Sequence, residues 1–511
     1  MTGAEQKKEL HSSVYDIAKR LRGLVLANNY KDYILGIVFY RFLSEKIENR
    51  ADKLLAEDNI SYTEAWKDEE YKELLIDNLT KQVGYIIEPG DLFSQFVKDI
   101  ENGKFDIEKL QFAINNLVDS TRGKESEDDF NNLFDGMVLS SHIIGNSVKE
   151  RSQTLSEIIG GVNNIDFSHD ETEVDVLGDI YEYIIKYFAS NAGQKAGEFY
   201  TPQPVSTLLA KLVTLGKTEV KSIYDPTCGS GSLLIRVSRQ LEKIGRLYGQ
   251  EKNPVTYNLA RMNMLLHDIS YKKFEILQGD TLENPKHLDE RFEIIVANPP
   301  YSTPWTADSK FLEDERFSAY GKLAPSSKAD YAFVQHMIHQ LDDNGTMAVV
   351  LPHGILFRGN AEGVIRRYMV EEKNYIDAVI GLPENMFFGA SIATCIVVFK
   401  KCKTDNDTVV FIDASKEFEK DGNKNAINNE HIEKIVKAYE DRVDIDKYCH
   451  VATLSEIAEN DYNLNIPRYV DTFEEEPEVD LAAVKEKIAS LKVESEQLDK
   501  DIDTYLAELG L

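Results

Sequence analysis

Cysteine is scarce in this 511-residue chain: there are four, at positions 228, 395, 402 and 449, and no CxxC pair. That excludes a disulfide frame and the common zinc sites and points to reduced thiols in a cytoplasm. Long apolar runs are also missing; stretches such as MAVVLPHGILF at 347 to 357 are too short and too interrupted to span a bilayer, so no membrane partner is expected. The opening MTGAEQKKELHSS has no apolar segment behind its lysines and does not read as a secretory signal. Basic charge is in deficit, with 58 Lys and Arg against 88 Asp and Glu and a net charge of -30. A protein gripping DNA through its general surface needs a basic face, so nucleic-acid contact here must be local or supplied by a partner. Acidity by itself also suits a chain that only has to stay dissolved.

What is present divides the chain in three. Its length exceeds what one core usually serves. Residues 1–165 repeat apolar residues at three- and four-residue steps, in SVYDIAKRLRGLVLANNY and again in KDYILGIVFYRFLSEKIENRADKLL, which predicts a helical N-terminal domain. Across 166–470, after a helix over DVLGDIYEYIIKYFASNAG, β-rich runs alternate with helical ones: SIYDP, LYGQE, FEILQGD, FEIIVANPP, TMAVVLP, YIDAVIGLP and ATCIVVFKK. This alternation predicts an α/β fold with a largely parallel, Rossmann-like sheet covered on both faces. Residues 471–511 read as a linker and an amphipathic helix carrying Leu481, Val484, Ile488, Leu491, Leu498, Ile502 and Tyr505, with Ser495 as the polar interruption. That stripe suits either a partner or its own domain.

Ligands of such sheets bind beyond the carboxyl ends of the strands, so the residues there are the candidates. After the first strand, DPTCGSGSLL places Gly229 and Gly231 for a tight turn and close backbone approach, and Asp225 suits a ligand bearing an ammonium. The spacing is not G-x-G-x-x-G, which weakens a dinucleotide reading. After the second strand, Glu251 can accept both ribose hydroxyl hydrogens; after the third, Asp280 in GDTL can accept from an adenine amino group or simply cap a helix. His336 and His339 share a helix face without a third ligand, so no metal is expected.

The fourth strand ends in NPPY. Prolines fix the backbone and remove amide donors, so the Asn298 side-chain oxygen and the Pro299 carbonyl can point out together as two acceptors for a planar amino group. Tyr301 offers an aromatic face for the ring that bears it. Acceptors on those hydrogens favour pyramidalisation and free the nitrogen lone pair for an incoming methyl.

With these residues in place the chain resembles the amino-group DNA methyltransferases. Through NNYKDYILGIVFYRFLSEK, IGLPENMFFGASIATCIVVFKK and DYNLNIPRYV it is similar to the modification subunit of type I restriction-modification systems. The resemblance implies S-adenosyl-L-methionine as cofactor. Glu198, Phe199, Tyr200, Thr201, Pro202 and Gln203 would close over its methionine end, and Thr227, Ser230, Gly231 and Ser232 would contact it from the turn. Asp280 with Thr281 would hold the adenine. Asn298, Pro299, Pro300 and Tyr301 would hold a flipped adenine, with Phe387 or Phe388 of MFFG on its opposite face. The implied partners are duplex DNA, a specificity subunit bound by two modification subunits, and a restriction subunit in the full complex. NPPY also serves methyltransferases acting on protein glutamine and ribosomal RNA, and a scaffold retaining the fold is a further alternative.

Overall fold

The computed structural model describes residues 31–164, 201–387, 392–403, 407–472 and 481–508. The helices expected over SVYDIAKRLRGLVLANNY and DVLGDIYEYIIKYFASNAG lie outside them, as does the expected boundary near 165.

The helical region is organised around α1 (Lys31–Leu55), which is buried continuously from Tyr33 to Ser44. A helix apolar on all sides belongs at the centre of a bundle. Helices α2 (Glu69–Val83), α3 (Phe93–Glu101) and α5 (Val148–Asn163) pack against it, and α4 (Ile107–Ser120) packs on α5. Their starts are set by side-chain caps: Asp68 accepts from the amides of Glu70 and Tyr71, Asp106 from Glu108 and Ser147 from Glu150.

The sheet begins with β1 (Glu219–Asp225), β2 (Lys243–Glu251), β3 (Phe274–Gln278), β4 (Phe292–Ala297) and β5 (Leu341–Pro352), all parallel. Then come β6 (Ile376–Gly381), β7 (Thr394–Lys400), β8 (Thr408–Asp413), the hairpin β9 (Glu419–Asp421) and β10 (Lys424–Ala426), and β11 (Cys449–Thr453). The nine-stranded order is β11-β8-β6-β7-β5-β4-β1-β2-β3. All seven expected strands are present. β7 runs antiparallel between β5 and β6. The sheet continues past the expected strands through β8, parallel to β6, and β11, antiparallel to β8.

Alternating residues divide the core. Ile294 and Val296 of β4 face a cluster that includes α6 (Gln203–Thr214), α7 (Ser232–Ser238), α8 (Pro254–Leu266) and the helical region, whereas Ile295 and Ala297 face α9 (Asp330–Gln340) and α10 (Asn360–Arg367). Because the first cluster is continuous with the N-terminal helices, Met1–Val470 forms one compact unit and Asp471–Leu511 another. A single side chain does much of the joining. Arg261 of α8, 1% exposed, donates to the carbonyls of Asp128 (2.6 Å) and Asn131 (3.0 Å) and to Asn258 (2.5 Å), and lies 4.2 Å from the Tyr257 ring centre. In the second unit, α11 (Leu481–Glu508) holds Ile488, Leu491, Leu498, Ile502 and Leu506 exposed, together with Val493 off the stripe. The side chains of Leu481, Val484 and Tyr505 lie outside the described set. Among the described residues no helix is long and apolar enough to cross a membrane.

Candidate active site at the strand ends

The sheet reverses its winding between β1 and β4, where Tyr224 pairs with Ile295, so the segments that follow these two neighbouring strands leave the sheet at the same edge, where ligands of such sheets bind. A cavity of about 1080 Å³ opens there. Of the expected residues, Thr227, Glu251, Asp280, Thr281, Asn298 and Pro300 line it.

The first turn is held from beneath. Asp225 is 2% exposed and accepts from the Thr227 amide at 2.9 Å. Burial, reinforced by the nearby Glu251 charge, pushes its carboxyl up to about 7. Gly229 and Gly231 take φ of +55° and +76°, which a side chain tolerates poorly, and a Cβ on Gly231 would stand 2.9 Å from Met264 Cε. Ser230 and Ser232 do not line the cavity. They are buried, share a hydrogen bond of 3.0 Å, and receive the Asn263 amide at the Ser230 carbonyl (3.0 Å) and the Ser232 hydroxyl (3.3 Å).

Glu251 bridges two strand ends: one oxygen accepts from the Gly229 amide at 3.0 Å, the other from the Asn253 amide at 2.8 Å. Burial raises its carboxyl. Each oxygen has capacity for a second hydrogen bond, and Glu251 lines the cavity. Asp280 closes a turn rather than capping a helix, accepting from the amides of Leu282 (2.9 Å) and Glu283 (3.1 Å), and pairs with Lys252 at 2.9 Å. Burial pushes this carboxyl up, but Lys252 and those amides outweigh it and hold the group below its ordinary range. The Thr281 hydroxyl donates to the Pro226 carbonyl, which ties the third strand end to the first.

At NPPY, the Asn298 amide nitrogen donates to Thr201 Oγ1 at 3.1 Å, and Asn298 Oδ1 accepts from the Tyr301 hydroxyl at 2.6 Å. The Thr201–Gln203 segment therefore reaches the fourth strand end, and Pro202 and Gln203 open α6; Glu198, Phe199 and Tyr200 lie outside the described residues. Tyr301 does not offer its face to the cavity. Its ring stands at 89° to Phe387, 5.9 Å between centres, and Phe387 is itself only 3% exposed. Burial raises the Tyr301 hydroxyl far above its usual range, so it remains a donor. Phe388 lies outside the described residues. The loop before it leans on the β9–β10 hairpin: Lys424 donates to the Phe387 carbonyl at 2.7 Å and Asn425 to the Glu384 carbonyl at 2.7 Å.

Sequence reasoning overlooked several residues. Ser302, at φ +48°, is fixed by Asp330, which accepts from its amide (2.7 Å) and hydroxyl (3.2 Å) and is gripped in turn by Arg358 (3.1 Å). A strained residue persists where its surroundings over-determine it. Arg316, 3% exposed, joins the loop after NPPY to the turn that carries Asp280 through the carbonyls of Thr281 (3.2 Å) and Leu282 (2.9 Å), while Asp314 accepts from its guanidinium at 2.8 Å. It also contacts His336, whose other nitrogen faces Tyr224, so that histidine is a packed core residue. Thr303, Pro304 and Trp305 line the cavity as well. The available signal was length, since an irregular stretch as long as that between β4 and α9 is usually functional.

A Gly turn, acidic strand ends and an Asn-Pro-Pro-Tyr edge at neighbouring strand ends on this strand order are the arrangement expected of an amino-group methyltransferase. The N-6 DNA methylase model matches residues 172–478 and the HsdM N-terminal domain model residues 10–162. The chain is 36% identical to the type I restriction enzyme MpnII methylase subunit of Mycoplasma pneumoniae, over 99% of its own length and 97% of that protein. It is 33% identical to the MjaVII methylase subunit of Methanocaldococcus jannaschii, over 92% and 80%. The crystal structure of a type I restriction-modification methyltransferase subunit from Streptococcus thermophilus superposes with a TM-score of 0.85 at 43% identity, covering 91% of this chain and all of that one. The chain belongs to the N-6 DNA methylase family and, within it, to the methylase subunits of type I restriction enzymes.

Proposed function

We propose that this chain binds S-adenosyl-L-methionine along the ends of β1 to β3 and transfers its methyl group to the N6 amino group of an adenine flipped out of duplex DNA. The observation that carries this reading is the single cavity uniting Thr227, Glu251, Asp280 and Asn298. The residues fit the cofactor: carboxylates that face a cavity suit hydroxyl and amino donors and a sulfonium, and the Gly229–Gly231 turn brings backbone close without side chains. Glu251 accepts from the ribose and Asp280 from the cofactor adenine. Asp225, beneath the turn, supplies negative charge for the sulfonium and ammonium rather than a cavity wall. The cofactor supplies an electrophilic methyl.

Asn298 Oδ1 and the Pro299 carbonyl accept the two hydrogens of the target amine, and Pro300 shapes the approach. For Tyr301 to stack on the base, its hydroxyl must leave Asn298 and its ring must leave the Phe387 edge. Sequence recognition comes from a specificity subunit held by two copies of this chain, with the restriction subunit joining in the full assembly. The apolar stripe of Leu481–Glu508 is the surface offered for docking.

The test is transfer of a tritiated methyl from S-adenosylmethionine to mixed-sequence duplex DNA, with and without the specificity subunit. Labelled N6-methyladenine that requires the subunit and is lost in Asn298→Ala supports the reading. Label in ribosomal RNA or protein instead of DNA would reassign the substrate, and absence of cofactor binding would leave a scaffold.

A further inference from the structure

The cavity is not built by the catalytic sheet alone. Lys31 and Asp32, at the start of α1 in the helical region, form part of its wall together with Glu251, Asn253, Val255 and Thr256. Asp32 lies close to the segment after β2: a side chain on Gly136 would stand 3.6 Å from Asp32 Cβ and 3.8 Å from Val255 Cγ1. Asp32 Oδ1 is buried and has no hydrogen-bond partner among the described residues. Burial, only partly offset by Lys31, raises this carboxyl.

A buried carboxylate oxygen without a partner is destabilising, and such a group persists where something else engages it. The wall around Asp32 restricts what that is. Among the described residues of the same cavity wall, Glu251, Asp280 and Glu283 together with Asp32 outnumber Lys31 and Lys252, so a phosphate is disfavoured there and a neutral or cationic donor is favoured. Under the proposed function the group beside Glu251 and Asp280 is the adenosine half of the cofactor, whose hydroxyl and amino groups are such donors.

We infer that Asp32 is a cofactor-contacting residue contributed by the N-terminal helical region, accepting a hydrogen bond from the adenosine moiety, so that S-adenosylmethionine is gripped from both halves of the compact unit. The inference rests on the proposed function for the identity of the ligand. It adds an acidic contact on α1, outside the strand-end motifs.

The experiment is calorimetric titration of the full-length protein with S-adenosylhomocysteine and with 5′-deoxy-5′-methylthioadenosine, which retains the adenosine but not the amino acid. Asp32→Asn and Asp32→Leu are compared with wild type and with Asp77→Asn as a surface control, alongside thermal unfolding of each protein without ligand. A lost hydrogen bond to a charged group predicts binding of both ligands weakened by about tenfold or more in Asp32→Leu. The unliganded variants should melt at the wild-type temperature or above it, because a buried carboxylate has been removed. Opposite movement of affinity and stability separates a ligand contact from a structural one, which would lower both. Unchanged affinity for both ligands in a folded Asp32→Leu overturns the inference, as does equal loss of stability and affinity in both variants. Failure of the wild type to bind either ligand would overturn the proposed function and this inference with it, an outcome distinct from a defect confined to Asp32.

Discussion

Asn298 is engaged at both ends of its amide before any base arrives, donating to Thr201 and accepting from Tyr301. One lone pair on Oδ1 remains for an amine. Tyr301→Phe removes the competing hydroxyl and keeps the ring, so methylation is expected to persist within a few-fold of wild type. Tyr301→Ala should lose far more, and Asn298→Ala about a hundredfold or more in kcat, the cost typical of deleting a group that stabilises a transition state. Steady-state kinetics on the assembled complex check all three. A tyrosine whose hydroxyl is needed for chemistry would instead make Tyr301→Phe as poor as Tyr301→Ala.

Asp225 sets a pH dependence. Its carboxyl is raised to about 7, so it gains charge as pH rises through that value. A sulfonium favours the charged form, and cofactor affinity is therefore expected to fall as pH drops from 8 to 6, with proton release on binding near pH 7. Titration in buffers of different ionisation enthalpy measures that release. The same shift works the other way on unliganded stability: ionising a buried acid is unfavourable, so this contribution is present at low pH and is lost as pH rises through 7.

Among the elements, Arg316 holds the loop after NPPY against the turn that carries Asp280. Lysine keeps the charge but cannot reproduce the planar fork that reaches Thr281, Leu282 and Asp314 at once. Arg316→Lys is expected to raise the KM for cofactor and lower kcat together, and an effect confined to thermal stability would assign it to packing alone.

The β-rich runs and the acids that follow them were legible because strand, turn and polar terminus recur in a fixed order that local chemistry dictates. KDYILGIVFYRFLSEKIENRADKLL likewise forms the helix its periodicity predicts. β8 and β11 were missed. TVVFID is short and follows another apolar run after only KCKTDND, and CHVAT alternates too weakly to stand out. Asp330, Arg316 and Asp32 were illegible for another reason: each lies beside residues distant in sequence, and nothing next to Asp32 in the chain signals that it shares a cavity wall with Val255. The Tyr301 ring was expected to face the base, but packing against Phe387 turns it inward. That orientation is a tertiary preference which a motif does not carry.

On the scale of the whole molecule, Arg261 fastens the helical region to the sheet through two backbone carbonyls. Arg261→Met keeps much of the volume but leaves those carbonyls without donors, a loss of about 2 to 5 kcal/mol. A lower melting temperature with weakened cofactor binding is the expected result, because α8 is capped by Asn253, whose amide donates to Glu251. Removing residues 475–511 tests the other end. The compact unit closes at Val470, so folding should survive while assembly with the specificity subunit is lost. Gel filtration showing an intact complex would remove the docking role from this helix.

The Arg316 strut has a thermodynamic corollary. If, as proposed, the turn that carries Asp280 holds the methyl donor and the loop after NPPY the target, one side chain joins the two, and occupancy of either is expected to bias the other. Linkage is reciprocal, so by whatever factor the methyl donor tightens the hold on DNA, DNA must tighten the hold on the methyl donor.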